Sequence, residues 1–100
     1  MKTKHKKLLS SIEKKIKNKL YEFVFEENNA STRKELTKTV NDLLSKELES
    51  ERIDDFKTVC NKSNNTKNVV ESNTGILDTT IEIDEEKYLN RITICKTGKI

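Results

Sequence analysis

Proline is absent from these 100 residues and glycine occurs only twice. With so little of either, the chain holds no flexible linker and no low-complexity tail, and it reads as one ordered domain. Nothing in it approaches the roughly twenty apolar residues that span a bilayer. Leu8, Leu9 and Ile12 are interrupted by Ser10, Ser11 and Glu13, which is too polar for the apolar core of a secretory signal. The expectation is a protein made and kept in a cytosol. Cysteine is scarce, and in that compartment Cys60 and Cys95 read as reduced, small, buried strand residues. The N-x-S/T sequons at Asn29, Asn61 and Asn64 then carry no weight.

Groups that could do chemistry are equally sparse. The single histidine, His5, stands in a lysine-rich start with no carboxylate or cysteine at ligand spacing, and reads as solvated. Glu26-Glu27, Asp54-Asp55 and Asp84-Glu85-Glu86 sit at element ends, where solvated surface charge is the simplest reading. No glycine-rich phosphate loop and no G-x-S-x-G occurs, and the Asn61 to Asn68 loop offers calcium no carboxylate. The sequence therefore points away from an enzyme, and to no catalytic, cofactor-binding or metal-binding residue.

What is present is charge, at 37%, over a thin apolar share of 32% and a mean hydropathy of −0.81. The net charge of +3 conceals an asymmetry. Lys2, Lys4, Lys6, Lys7, Lys14, Lys15, Lys17 and Lys19 face only Glu13 in the first twenty residues, about +7, which leaves the remainder at about −4. A basic arm on an acidic body can bind nucleic acid or an anionic membrane, or dock on the acidic body of an identical neighbour. Nucleic acid is disfavoured, because the arm has no aromatic to stack on a base and no arginine for a bidentate contact. A membrane is disfavoured for want of a Trp or Phe anchor.

The apolar residues recur with clear periods. Leu8, Leu9, Ile12, Ile16 and Leu20 predict an amphipathic helix over 4–19 after a frayed basic start at 1–5. Tyr21, Phe23, Val24 and Phe25 predict a buried strand over 20–27. Asn28 or Asn29 caps the next helix, with Thr32 and Glu35 at the spacing of a competing capping box. That helix runs from about Ala30 to Ser50, with Leu36, Val40, Leu43, Leu44 and Leu48 on one face. Strands follow over 53–61, 76–83 and 88–95, separated by a loop of Asx and Ser/Thr turns at 61–68 and an acidic link at 84–87, and 96–100 is a short tail. The order α-β-α-β-β-β is an α+β plan, two helices on one face of a small, mixed, four-stranded sheet. In it Phe25 and Leu43 should bury each other's elements, and the amides of Asn64 and Asn65 should tie their loop to the sheet.

Three blocks carry a resemblance to a known family. Phe25-Glu26-Glu27-Asn28-Asn29-Ala30-Ser31-Thr32-Arg33 resembles the strand-to-helix junction F-E-x-N-D-x-x-T-R of the C-terminal, inner domain of contractile phage tail sheath proteins. Val59-Cys60-Asn61-Lys62-Ser63-Asn64-Asn65-Thr66 is similar to that family's V-x-C-D-x-x-N-N-T loop, and Ile12-Glu13-Lys14-Lys15-Ile16 to its opening Y-I-E-x-S-I helix. Order and spacing are kept over roughly residues 6 to 95. Asn29 and Asn61 stand where the family has Asp, and Asp84 to Lys87 replaces a P-A-R-like turn.

The resemblance implies a virion structural part, assembled in the host cytoplasm and carried in the tail. In that family terminal arms add strands to the sheets of neighbouring subunits. The expected partners are tail sheath, baseplate, neck and tube proteins and further copies of the chain in a ring. The sequence lacks the front arm and the outward inserted domains of a sheath subunit, so it is expected at one end of the sheath, as initiator, cap or auxiliary ring. Baseplate initiators of this fold carry an E-P-R tripeptide, and none occurs here. Phe25, Glu26, Asn28, Asn29, Thr32, Arg33, Cys60, Asn64, Asn65 and Thr66 form the structural motif, and Lys14, Lys15, Lys17, Lys19, Arg91, Ile94, Lys96 and Ile100 are the expected subunit contacts.

Overall fold

The structure is a computed structural model that describes residues 3–95, 98 and 100. Lys2 of the basic arm and Lys96 of the expected contacts lie outside the described residues. Helix α1 (Thr3–Leu20) turns Ile12, Ile16 and Leu20 inward, as their three-to-four spacing requires. Helix α2 (Ala30–Glu49) buries Leu36, Val40 and Leu44 on one stripe. Strand β1 (Asp55–Val59), a five-residue helix α3 (Lys67–Glu71), and strands β2 (Thr74–Ile83) and β3 (Glu86–Cys95) complete the order.

The α+β class holds, while the sheet is smaller than expected. Among the described residues it has three strands in the order β1-β2-β3, all antiparallel. The aromatic run is not a strand. Tyr21–Phe23 is a turn of 3-10 helix, flanked by Leu20 (φ −69°, ψ −19°) and Val24 (φ −62°, ψ −24°), both still helical. The backbone thus leaves α1 by tightening its coil, and tertiary packing overrides the β propensity of the rings. Phe23 and Val24 are buried there, but Phe25 is 80% exposed, so its expected burial against Leu43 is overturned. Phe25 instead lies against Gly98 (φ +96°), where an added Cβ would come within 3.2 Å of the ring. Leu44, not the half-buried Leu43, is the fully enclosed leucine of that turn.

In β2, Leu77, Thr79, Ile81 and Ile83 alternate inward, beneath the helices, with Ile92 and Ile94 of β3 beside them. Each such aliphatic side chain contributes about 1.5–3 kcal/mol by leaving water. Ile94, expected at a subunit contact, is therefore core, and Ile100 packs half-buried against the same cluster. The two long helices are also joined by charge. Glu47 of α2 is buried and accepts from Lys15 of α1 at 2.8 Å, with Arg52 at 3.6 Å. Lys15 is thus engaged within the chain, as is Lys17, paired with Glu13 one turn earlier at 3.0 Å.

The β2–β3 hairpin closes on two residues, with Ile83 paired to Glu86. Both turn residues, Asp84 (φ +51°) and Glu85 (φ +69°), are left-handed. That is the turn whose twist matches the flanking strands, made here without glycine.

Candidate functional site

The two asparagine-rich blocks, whose Asn28 and Asn65 are 37 residues apart in sequence, meet at the start of β2. Beyond Val59, the last residue of β1, the margin of β2 has no strand beside it among the described residues. The side chain of Asn65 takes that place. Its Oδ1 accepts from the Ile76 N–H at 2.8 Å and its Nδ2 donates to the Ile76 carbonyl at 2.9 Å, the two bonds a neighbouring strand would make. Asn28 then donates to Asn65 Oδ1 at 2.9 Å and to the Thr74 carbonyl at 3.0 Å, while Arg33 donates to Asn28 Oδ1 at 2.8 Å. Asn65 and Arg33 are both buried, so each bond stands in for a lost contact with water.

Asn64 finishes the other side. It donates to the Val59 carbonyl at 2.7 Å and to Asp78 at 3.1 Å, and accepts from the Asn61 N–H at 3.0 Å. The expectation that these two amides tie the loop to the sheet is met. Cys60 is buried with its Sγ 3.8 Å from Asn65, Cys95 is half-buried, and the two are not joined in a disulfide. Asn29 is the cap of α2, accepting from the Thr32 N–H at 2.9 Å. Thr32 lies buried inside the helix, and the competing box with Glu35 is not used. Thr66 precedes α3 without a side-chain cap bond, and Glu26 is exposed.

The outer margins of the sheet differ. On β1 the Phe56 N–H is taken by the Asp55 carboxylate at 2.8 Å. Beside it a groove under α2 is lined by Arg33, Lys34, Lys38 and Lys62, and the buried Asn41 Oδ1 and Thr58 Oγ1 have no hydrogen-bond partner among the described residues. β3 is ten residues long, and among the described residues only β2 bonds the backbone of residues 87–94. Next to that margin runs a cleft of about 350 Å³ with Leu9, Ile12, Ile16 and Ile81 in its floor and Lys6, Glu13 and Lys87 around it. Leu89 on the margin itself is 81% exposed. On the outer face of the sheet Arg91, expected at a subunit contact, holds Asp78 through two bonds of 2.8 and 3.0 Å. That guanidinium keeps the Asp78 carboxyl below the usual carboxylate range. Lys14 and Lys19 are exposed on α1.

His5 overturns its expectation. It is 0% exposed, with Nε2 2.8 Å from Asp84 Oδ2 and Nδ1 2.7 Å from the Tyr88 hydroxyl, and its ring meets the Tyr88 ring edge-on. Asp84 and Glu86 are accordingly not isolated surface charges. No local signal could have revealed this, since the partners lie 79 and 83 residues away. Among the described residues no set of three His, Cys, Asp or Glu side chains could hold a metal ion, and no helix is long and apolar enough to cross a membrane.

Compared with protein-family profiles, with curated proteins and with solved structures, the chain matches none.

Proposed function

We propose that this chain is a sheath-like structural subunit of a contractile phage tail, without catalytic function, which assembles by exchanging strands with its neighbours. The observation that carries the reading is the asparagine knot. Residues 25–33 and 59–66, the blocks by which the sequence resembles the sheath inner domain, are joined through Asn28, Arg33 and Asn65. Motif residues that hold one corner of a fold together are a reason for such spacing to be kept.

The sheet gives a second support. A margin over residues 87–94 that no backbone but β2 bonds among the described residues, beside an apolar cleft, is a template for an added strand. A strand donated by another subunit would then lie along β3. The place at one end of the sheath, as initiator, cap or auxiliary ring, belongs to the same proposal, as do sheath, baseplate, neck and tube proteins as partners.

The test is mass spectrometry of purified contractile particles, together with gold labelling of the protein on them. The expected result is a stoichiometric virion component with label at one end of the tail. Particles that contract normally and lack the protein would sink the reading. A DNA gel shift that weakens with salt and is lost on changing Lys4, Lys6, Lys7, Lys14 and Lys19 to glutamine would favour a nucleic-acid-binding protein instead.

A further inference from the structure

Arg33 is a buried charge without a counter-ion. It is 9% exposed, its side chain donates to Asn28 Oδ1 at 2.8 Å, and among the described residues no carboxylate comes within ion-pair distance of it. A guanidinium holds five N–H donors in a planar fork, so one neutral amide leaves most of that capacity unused. Taking a charge out of water is costly unless an opposite charge meets it. The other buried ionic group of α2, Glu47, shows the usual solution, with Lys15 at 2.8 Å and Arg52 at 3.6 Å.

What Arg33 does face is the groove between α2 and β1, of about 990 Å³, together with Lys34, Lys38 and Lys62. These three lysines are exposed, and among the described residues none of them pairs with a carboxylate. Arg33 and Lys62 also line the adjoining hollow of about 390 Å³ beside α3, so both cations are common to the two. The groove therefore sets four cations against one carboxylate, Asp42, which stands farthest along α2 of its lining residues.

We infer that this groove is a docking site for an acidic, extended segment of another polypeptide, which sets one carboxylate on Arg33 and Lys62 and further ones on Lys34 and Lys38. From Ala30 to Asp42 the helix rises about 18 Å, the length of about five extended residues. Lys34 and Lys38 are one turn apart, about 6 Å, close to the repeat of alternate side chains on an extended chain. A carboxylate also matches the guanidinium fork, which accounts for an arginine at the buried position and lysines at the rim. A nucleic-acid strand fits less well, since it carries one sign throughout and would meet Asp42, and no aromatic side chain lines the groove to stack on a base. A polypeptide can change sign along its length and set a basic residue beside Asp42. The site lies on the β1 side of the sheet, away from the β3 margin, and does not rest on the tail reading.

The experiment is an NMR titration of the 15N-labelled full chain, at low salt, with a peptide of sequence Glu-Thr-Glu-Thr-Glu-Lys blocked at both ends. Saturable shifts should gather on the amides of 30–38 and 58–62. Lys34→Gln, Lys38→Gln and Lys62→Gln together should weaken binding by roughly tenfold, the scale of a few exposed ion pairs lost at once. Lys4→Gln, Lys7→Gln and Lys46→Gln together remove the same net charge from exposed sites outside the groove, and should change affinity by less than about twofold. Neither inorganic phosphate nor an oligothymidylate at equal concentration should displace the peptide. Arg33 is left intact, so the outcome does not depend on the folding of a variant at a buried position. Shifts that fail to saturate or that gather on α1 overturn the inference, as do equal effects of the two lysine triples. Displacement by phosphate, or tighter binding of the oligothymidylate in the groove, overturns it as well.

Discussion

Replacing Asn65 by alanine removes the side chain that substitutes for a strand at the start of β2, and the structure sets the size of the loss. The Ile76 N–H is left with no partner, because its bond at 2.8 Å is to Asn65 alone. The Ile76 carbonyl keeps only a long contact of 3.4 Å with Asn64, and Asn28 Nδ2 keeps only the Thr74 carbonyl at 3.0 Å. An orphaned buried polar group costs about 1–3 kcal/mol. Ile76 is half-buried, so water offsets part of two such losses, and the expected destabilisation is about 2–4 kcal/mol. Against the roughly 5–15 kcal/mol that holds a domain of this size, that is a large fraction, equivalent to a fall in Tm of roughly 10–25 °C. Thermal and urea unfolding followed by circular dichroism would read it. The control is Ser63→Ala in the same loop, whose hydroxyl bonds only the exposed Asn61 side chain and whose loss should stay within about 0.5 kcal/mol. Equal effects of the two changes would refute the view that Asn65 acts as a strand surrogate.

Glu85→Gly should stabilise by about 1 kcal/mol, since a non-glycine residue at φ +69° in a two-residue hairpin carries a steric cost that glycine does not; an unchanged or lower Tm would contradict this. Arg91→Gln should flatten the acid limb of the stability curve. Asp78 is held below its ordinary 3.8 by Arg91, so its contribution is complete above that value and is lost as pH falls through the lowered one, a difference that urea midpoints between pH 5 and pH 2 would reveal. Leu44→Asp should abolish soluble protein by placing an unpaired charge at a fully enclosed position, whereas the same change at half-buried Leu43 should be milder; expression of both in parallel checks the order.

Those outcomes turn on features that were legible in the sequence to different degrees. Ile12, Ile16, Leu36, Val40 and Leu44 announce two helices because a stripe at three-to-four spacing has few other solutions. The alternation from Leu77 to Ile83 announces a strand for a similar reason. The run Tyr21 to Phe25 misled because ring-rich composition speaks only to fitness for a pleated surface, and here no pleated neighbour exists for it. Of the site, Asn29 was readable as a cap, and the tie of Asn64 and Asn65 to the sheet as a loop anchor. Asn28 was not readable as a bridge, because Asn65 and Thr74 come to it from 37 and 46 residues away. His5 lay beyond reach for the same reason, in a lysine-rich context that looked solvated. Local pattern reports which face is apolar; it does not report which distant polar group waits on the other side.

We propose that this chain is building material whose sheet is completed by other subunits. A high-resolution cryo-EM map of the assembled contractile tail tests it most directly. The expected result is an extended segment of a neighbouring chain hydrogen-bonded along β3, with apolar side chains in the cleft beneath α1. A β3 margin left facing solvent in the assembled particle would contradict it.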